Sequence, residues 1–168
     1  ASLKKLDMPL SSDIKEMIKS TVAKKDEDSE DLSDSSTGHV VTPFPTQKVP
    51  TVGEAIELMK KLGLLEKIIE HAKYVMKEAE SIAQDIKKVD VDINIVKIGA
   101  LLHDIGRTQS HELNHGEVGG NICRQLNLPE EIAHVVETHV MGGLTMEEAV
   151  SFGLSARSFM PETIEEKI

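Results

Sequence analysis

The sequence predicts an all-α fold, a compact array of about six helices preceded by a tail and a disordered linker. Three observations lead there. Apolar residues recur at spacings of three and four through most of the chain after residue 51. Capping residues and glycines punctuate those runs where helices would begin and end. No alternating strand pattern, internal repeat or glycine-rich phosphate loop interrupts them.

The elements follow in order. Residues 1–24 hold one modest helix, capped by Ser12 or Asp13, with Ile14, Met17, Ile18 and Val22 as its stripe. Residues 25–50 then change character: Asp26, Glu27, Asp28, Glu30, Asp31 and Asp34 lie among serines, and Pro43, Pro45 and Pro50 follow. High charge, little apolar content and repeated proline describe a disordered linker, and His39 within it has no partner nearby.

Order resumes at Thr51, giving a domain over 51–168. Thr51-Val52-Gly53-Glu54 reads as a capping box, Ala55, Ile56, Met59 and Leu62 as an apolar face, and Gly63 as a stop. Leu64 to about Lys88 is the longest helical pattern, with Ile68, Ala72, Val75, Ala79, Ile82 and Ile86 as its buried stripe. Asp90 or Asp92 opens a helix through Ile93, Val96, Ala100 and His103, closed at Gly106. Arg107 to Asn114 reads as a polar loop and His115 to Leu126 as a helix. Pro129 starts another through Val140, in the first-turn position that proline favours. Met141-Gly142-Gly143 breaks it, Thr145 caps a short helix to about Phe152, and Pro161-Glu162-Thr163 begins the last.

Composition narrows the function. The 168 residues carry a net charge of -10, so no general basic field draws DNA, RNA or an anionic membrane. Aromatic residues make up 2%, which leaves few platforms for stacking single-stranded bases. Cys123 is alone, so no intramolecular disulfide forms and a reducing, cytoplasmic setting is expected. No apolar run approaches the ~20 residues that a membrane helix needs, and no secretory stretch follows Ala1-Ser2-Leu3-Lys4-Lys5.

The informative stretch is Leu101-Leu102-His103-Asp104-Ile105-Gly106, where an apolar helix ends on adjacent ionisable groups. Burying such groups uncompensated costs several kcal/mol, about 2–7 for a polar group and more for a charge. A helix turns 100° per residue. On that rule His71 lies about 20° from Leu64 and Ile82, bordering the buried stripe. His103 falls near the line of Val96 and Ala100, and His115 is on the side of Val118 and Ile122. His139 lies about 20° from Ile132 on the buried face, whereas His134 turns about 160° away from it, towards solvent. His111 sits in the loop beside the site, and Glu112 and Glu117 read as surface residues. Four inward histidines and one aspartate need many partners, and a shared cation satisfies them together. Nitrogen and oxygen donors without sulfur suit Fe, Mn, Co, Ni or Zn, as one or two divalent ions.

With those residues in view, the chain resembles the HD-domain metal-dependent phosphohydrolase superfamily. The resemblance covers roughly residues 51–168. It rests on His71, the His103-Asp104 pair, His115 in His115-Gly116-Glu117-Val118-Gly119-Gly120, and His139 in Val136-Glu137-Thr138-His139. It is greatest to small archaeal HD proteins of the HDIG type, a domain that also occurs appended to other enzymes, an RNA methyltransferase among them. The set is also similar to that of two-metal HD enzymes such as the bacterial symmetrical diadenosine tetraphosphate hydrolases. By that similarity His71, His103 and Asp104 hold a first metal, Asp104 bridges, and His115 and His139 hold a second. Family members supply a further Asp from the final helix, beyond Ile168, so the domain is expected to be incomplete at its C-terminus.

The activity this implies is hydrolysis of a phosphate ester or anhydride of a nucleotide or dinucleotide, by attack of metal-bound water. Asp104 and Arg107 are its expected catalytic residues, Arg107 clamping the phosphate. The alternative is a non-catalytic regulatory or interaction module with a degenerate site, attached to another enzyme.

Overall fold

The computed structural model describes residues 48–168. The tail expected over 1–24, and all but the end of the linker expected over 25–50, lie outside the described residues. His39 lies there too.

Thr51 caps the first helix, α1 (Val52–Lys61), with both halves of the expected box: Glu54 N donates to Thr51 Oγ1 at 3.2 Å, and Thr51 N to Glu54 Oε2 at 2.7 Å. Ala55 and Met59 of α1 are fully buried. Gly63, at φ 81°, makes the left-handed turn out of it.

Helix α2 (Glu66–Asp85) is the longest; Ala72 and Ala79 of its expected stripe are buried, but the rest of that stripe is not. Ile69, Ala72, Met76, Ala79 and Ala83 face inward, whereas Ile68 and Val75 are shoulders and Ile82 is 49% exposed. Ala72, Ala79 and Ala83 make a strip of small side chains, which lets the next helix approach closely. That helix is α3 (Ile93–Leu102), which lies at the centre and packs against α1, α2 and the helices that follow. Asp92 caps it, its Oδ1 accepting from Asn94 N and Ile95 N at 2.9 and 3.2 Å. Seven of its ten residues are buried.

Helix α3 stops at Leu102 rather than at Gly106. His103 caps its C-terminus, Asp104 leaves the helical conformation, and a 3₁₀ turn occupies Ile105–Thr108, across the expected helix stop and the first residues of the expected loop. Gly106 therefore does not serve as a helix stop. A Cβ there would lie 1.9 Å from the His115 carbonyl oxygen and 2.7 Å from Gly119 N. Only glycine lets the turn press onto the backbone of α4 (His115–Gln125).

Helix α5 (Glu130–Thr138) begins after Pro129, which stands at the cap with extended ψ rather than inside the first turn. It ends two residues before the expected Val140, because Met141, Gly142 and Gly143 all take positive φ. A 3₁₀ turn, Val140–Gly142, follows His139. Thr145 and Glu148 form a second capping box on α6 (Met146–Ser151), and Thr163 caps the short α7 (Ile164–Lys167). The described residues thus contain seven α-helices, two 3₁₀ turns and no strand, one helix more than the expected six or so. Met59, Ile69, Leu101, Leu102, Ile105 and Ile132 are the largest side chains removed from solvent altogether. At about 25 cal/mol per Å² of apolar surface, each contributes roughly 2 kcal/mol.

Candidate metal centre

Three helix ends and one helix side bring the candidate residues together. His71 projects from α2, His103 and Asp104 follow α3, His115 opens α4, and His139 caps α5. Two groups result: His71, His103 and Asp104, and then Asp104, His115 and His139, each with one donor atom per residue within 4.8 Å of the others. Asp104 belongs to both.

Its two oxygens divide between them. Asp104 Oδ2 lies 3.5 Å from His103 Nε2, while Oδ1 lies 3.3 Å from His115 Nε2 and 3.7 Å from His139 Nε2. The rings themselves stand edge to face in series, His71 to His103 at 5.4 Å and His103 to His139 at 5.1 Å between centroids.

A local device orients three of the four rings. His103 Nδ1 donates to the Ala100 carbonyl at 2.7 Å, His115 Nδ1 to Glu112 at 2.6 Å and His139 Nδ1 to Val136 at 2.6 Å. Each partner is three residues earlier, the last turn before the histidine. A carbonyl can only accept, so Nδ1 carries the proton and Nε2 presents its lone pair to the shared space. Nε2 of His115 and Nε2 of His139 then face one another at 3.1 Å. Two lone pairs at that distance need a shared proton or cation. Donors about 2.1 Å from a common metal stand about 3.0–3.4 Å apart, so the pair fits an ion.

Electrostatics agree with that fit. Burial chiefly holds His103 below its ordinary pKa, with His139 and His71 adding to it against the Ala100 carbonyl and Asp104, so the ring is neutral at pH 7. Burial by itself would raise the Asp104 pKa. The imidazoles of His115, His139 and His103 around it and the Arg107 bond reverse this and hold the carboxyl far below the usual range. A neutral His103 beside an ionised carboxylate is what a divalent transition ion requires.

Other placements differ from the sequence reading or extend it. His71 is exposed rather than bordering buried surface, so it stands at the rim of its group. Arg107 Nε is bonded to Asp104 Oδ1 at 2.7 Å, which makes it a neighbour of the carboxylate as well as a candidate for phosphate. His134 faces solvent as expected, 3.2 Å from Glu130. His111 and Glu112 are exposed, outside both groups. Lys97 pairs with Glu80 at 2.8 Å and joins α3 to α2. Burial pushes the Cys123 thiol up to about 12, so it is inert.

The residue that sequence reasoning missed is Glu137, buried two residues before His139 and bonded by two arginines. A signal existed: Glu137 is four residues after buried Ala133 and next to Val136, on the inward face of α5.

A cavity of about 300 Å³ opens beside the centre, with His103 and His139 at its wall among Val75, Ala79, Val96 and Ala100. No helix among the described residues is long and apolar enough to cross a membrane.

Comparison with known proteins places this geometry. The HD domain family model matches residues 68–168. An uncharacterized protein of Methanocaldococcus jannaschii is 40% identical over 117 residues, 68% of this chain and 69% of that one. A protein of Thermoplasma volcanium named tRNA (cytidine(56)-2'-O)-methyltransferase is 38% identical over 147 residues, 84% of this chain but 42% of its own length. A Ribonuclease Y of Acidothermus cellulolyticus is 39% identical over 54 residues, 31% of this chain and 11% of that one. This chain thus spans less than half the length of the relative named as a methyltransferase. No solved structure gives a match. The histidine-aspartate centre and the family match agree, and the chain belongs to the HD-domain family.

Proposed function

We propose that the chain is a phosphohydrolase acting on phosphate esters or anhydrides of nucleotides or dinucleotides. It would use one or two divalent ions of Fe, Mn, Co, Ni or Zn held by His71, His103, Asp104, His115 and His139. The observation that carries this reading is the division of the Asp104 carboxylate, one oxygen towards each group. A cation bound there lowers the pKa of water towards neutrality and offsets the charge on phosphate oxygens.

The chain's own residues do the rest. Asp104 stays ionised across the physiological range, so it holds its bridging role without competition from protons. The three carbonyl tethers keep the imidazoles oriented before a ligand arrives, which lowers the cost of assembling the site. Arg107 has Nε committed to Asp104, and its remaining guanidinium donors are the ones to take a phosphate. The adjoining cavity has aliphatic wall at Val75, Ala79, Val96, Ala100 and Val135, a suitable space for the uncharged part of a nucleotide, and charged wall at Glu165, Glu166 and Lys167. Residues 1–24 as a tail, 25–50 as a linker and a cytoplasmic setting without membrane or DNA partners belong to the same proposal. They rest on composition, the charge of -10 and the lone Cys123.

One observation favours a second reading. Relatives from Thermoplasma volcanium and Picrophilus torridus are named tRNA methyltransferases, and this chain covers only 42% and 34% of their lengths. An HD module that regulates or positions another activity fits that arrangement. The two readings part on one experiment: metal analysis of the purified chain, followed by Mn²⁺- or Co²⁺-dependent phosphate release from nucleotides, dinucleotides and a short RNA. The enzyme reading expects metal near stoichiometry and turnover that His103→Ala abolishes without loss of helix content. Metal uptake with no turnover on any substrate favours the module.

A further inference from the structure

Glu137 lies two residues before His139, and its side chain is 2% exposed. Four hydrogen bonds hold its carboxylate: from Arg124 Nη1 at 2.5 Å and Nη2 at 2.9 Å, and from Arg157 Nη1 at 3.2 Å and Nη2 at 2.6 Å. Arg124 stands on α4 and also pairs with Glu130 at the start of α5, at 2.5 Å. Arg157 comes from the segment after α6, where its guanidinium lies 4.1 Å from the Phe159 ring. The carboxylate therefore ties α5 to α4 on one side and to that segment on the other.

These same two helices carry one half of the candidate centre. His115 is the first residue of α4, His139 caps α5, and their Nε2 atoms are 3.1 Å apart. The α4–α5 contact is centred on glycines of α4. Gly116, Gly119 and Gly120 face α5, and a Cβ at Gly120 would lie 2.2 Å from Glu137 Cγ. A smooth glycine surface permits close approach but does little to stop one helix sliding along the other. A bidentate arginine–carboxylate pair does stop it, because both partners are planar and directional. None of the hydrogen bonds of this network reaches His71, His103 or Asp104, which stand on α2 and at the end of α3.

We propose that Glu137 is a positioning residue for one half of the centre: clamped by Arg124 and Arg157, it sets the register of α4 on α5 and so the separation of His115 and His139. The inference rests on the two-cation reading of the site given above. It differs from a general structural role in being selective, since the group of His71, His103 and Asp104 keeps its own supports.

The test is a Co²⁺ titration of the full 168-residue chain, followed by visible absorption and calorimetry, with circular dichroism as the control for helix content. The wild-type chain is expected to take two equivalents. Glu137→Ala should keep one at wild-type affinity and bind the other at least tenfold more weakly. Glu137→Gln, which keeps the volume and one acceptor, should fall between them. Arg157→Gln gives the same selective loss to a smaller degree, and it decides the matter if Glu137→Ala does not fold. Equal weakening of both equivalents, no change in either, or a single equivalent in the wild-type chain overturns the inference. A wild-type chain that takes up no cobalt defeats the reading of the centre itself, a result distinct from these.

Discussion

At the scale of single residues, the centre is built by making each ionisable group unable to be anything but a donor. Three histidines lose the choice of tautomer to a carbonyl three residues earlier, and Asp104 loses its proton to its neighbours. Glu137 follows a similar logic with an opposite partner. Burial would raise its pKa, but the hydrogen bonds and charges of Arg124 and Arg157 prevail and hold it below its ordinary 4.5. A carboxylate with a depressed folded pKa adds stability that is complete above the unfolded pKa and is lost as pH falls through the folded one. Glu137→Gln should therefore cost about 3 kcal/mol at pH 7, the low end for a broken buried pair because both arginines can rehydrate. The gap from wild type should close progressively below pH 4.5. Urea unfolding of the two chains across that range measures it, and a gap that stays constant down to pH 2 would refute the assignment.

At the scale of elements, capping was the most legible feature of the sequence. Both boxes, at Thr51 and Thr145, stand where their spacing put them, since a cap is a contact within four residues. The convergence of His103, Asp104, His115 and His139 was legible for a related reason: each sits at a helix end on an apolar face. What escaped was set by contacts between elements. The face of α2 keeps Ala72 and Ala79 but takes Ile69, Met76 and Ala83 in place of Ile68, Val75 and Ile82, a shift that period alone does not decide. His71 was carried outward with it. Gly106 looked like a helix stop, but the reason for it lies across the interface, at the His115 carbonyl. Gly106→Ala should cost at least about 3 kcal/mol, the upper end for overpacking, because backbone rather than a flexible side chain is in the way. Thermal unfolding checks this, and a substitution tolerated within 1 kcal/mol would show that the turn can lift off α4.

At the scale of the whole molecule, the centre joins α2, α3, α4 and α5, so anything that binds it links most of the fold. A ligand taken up only by the folded chain stabilises it by RT ln(1 + [L]/Kd), about 2.7 kcal/mol at a hundredfold excess over Kd. For a domain of this size that raises Tm by roughly 10 °C. Adding Mn²⁺ or Co²⁺ to a chain stripped with EDTA should produce that rise, and His103→Ala should remove most of it. The imidazole tethers give this coupling its character. Every tether runs to a carbonyl three residues earlier, so each ring is aimed by its own segment and knows nothing of the others. What gathers them is the seating of one backbone on another at glycines 106 and 119. Ion affinity thus works as a gauge of how tightly the bundle is closed, and across a series of core variants the two should weaken in step.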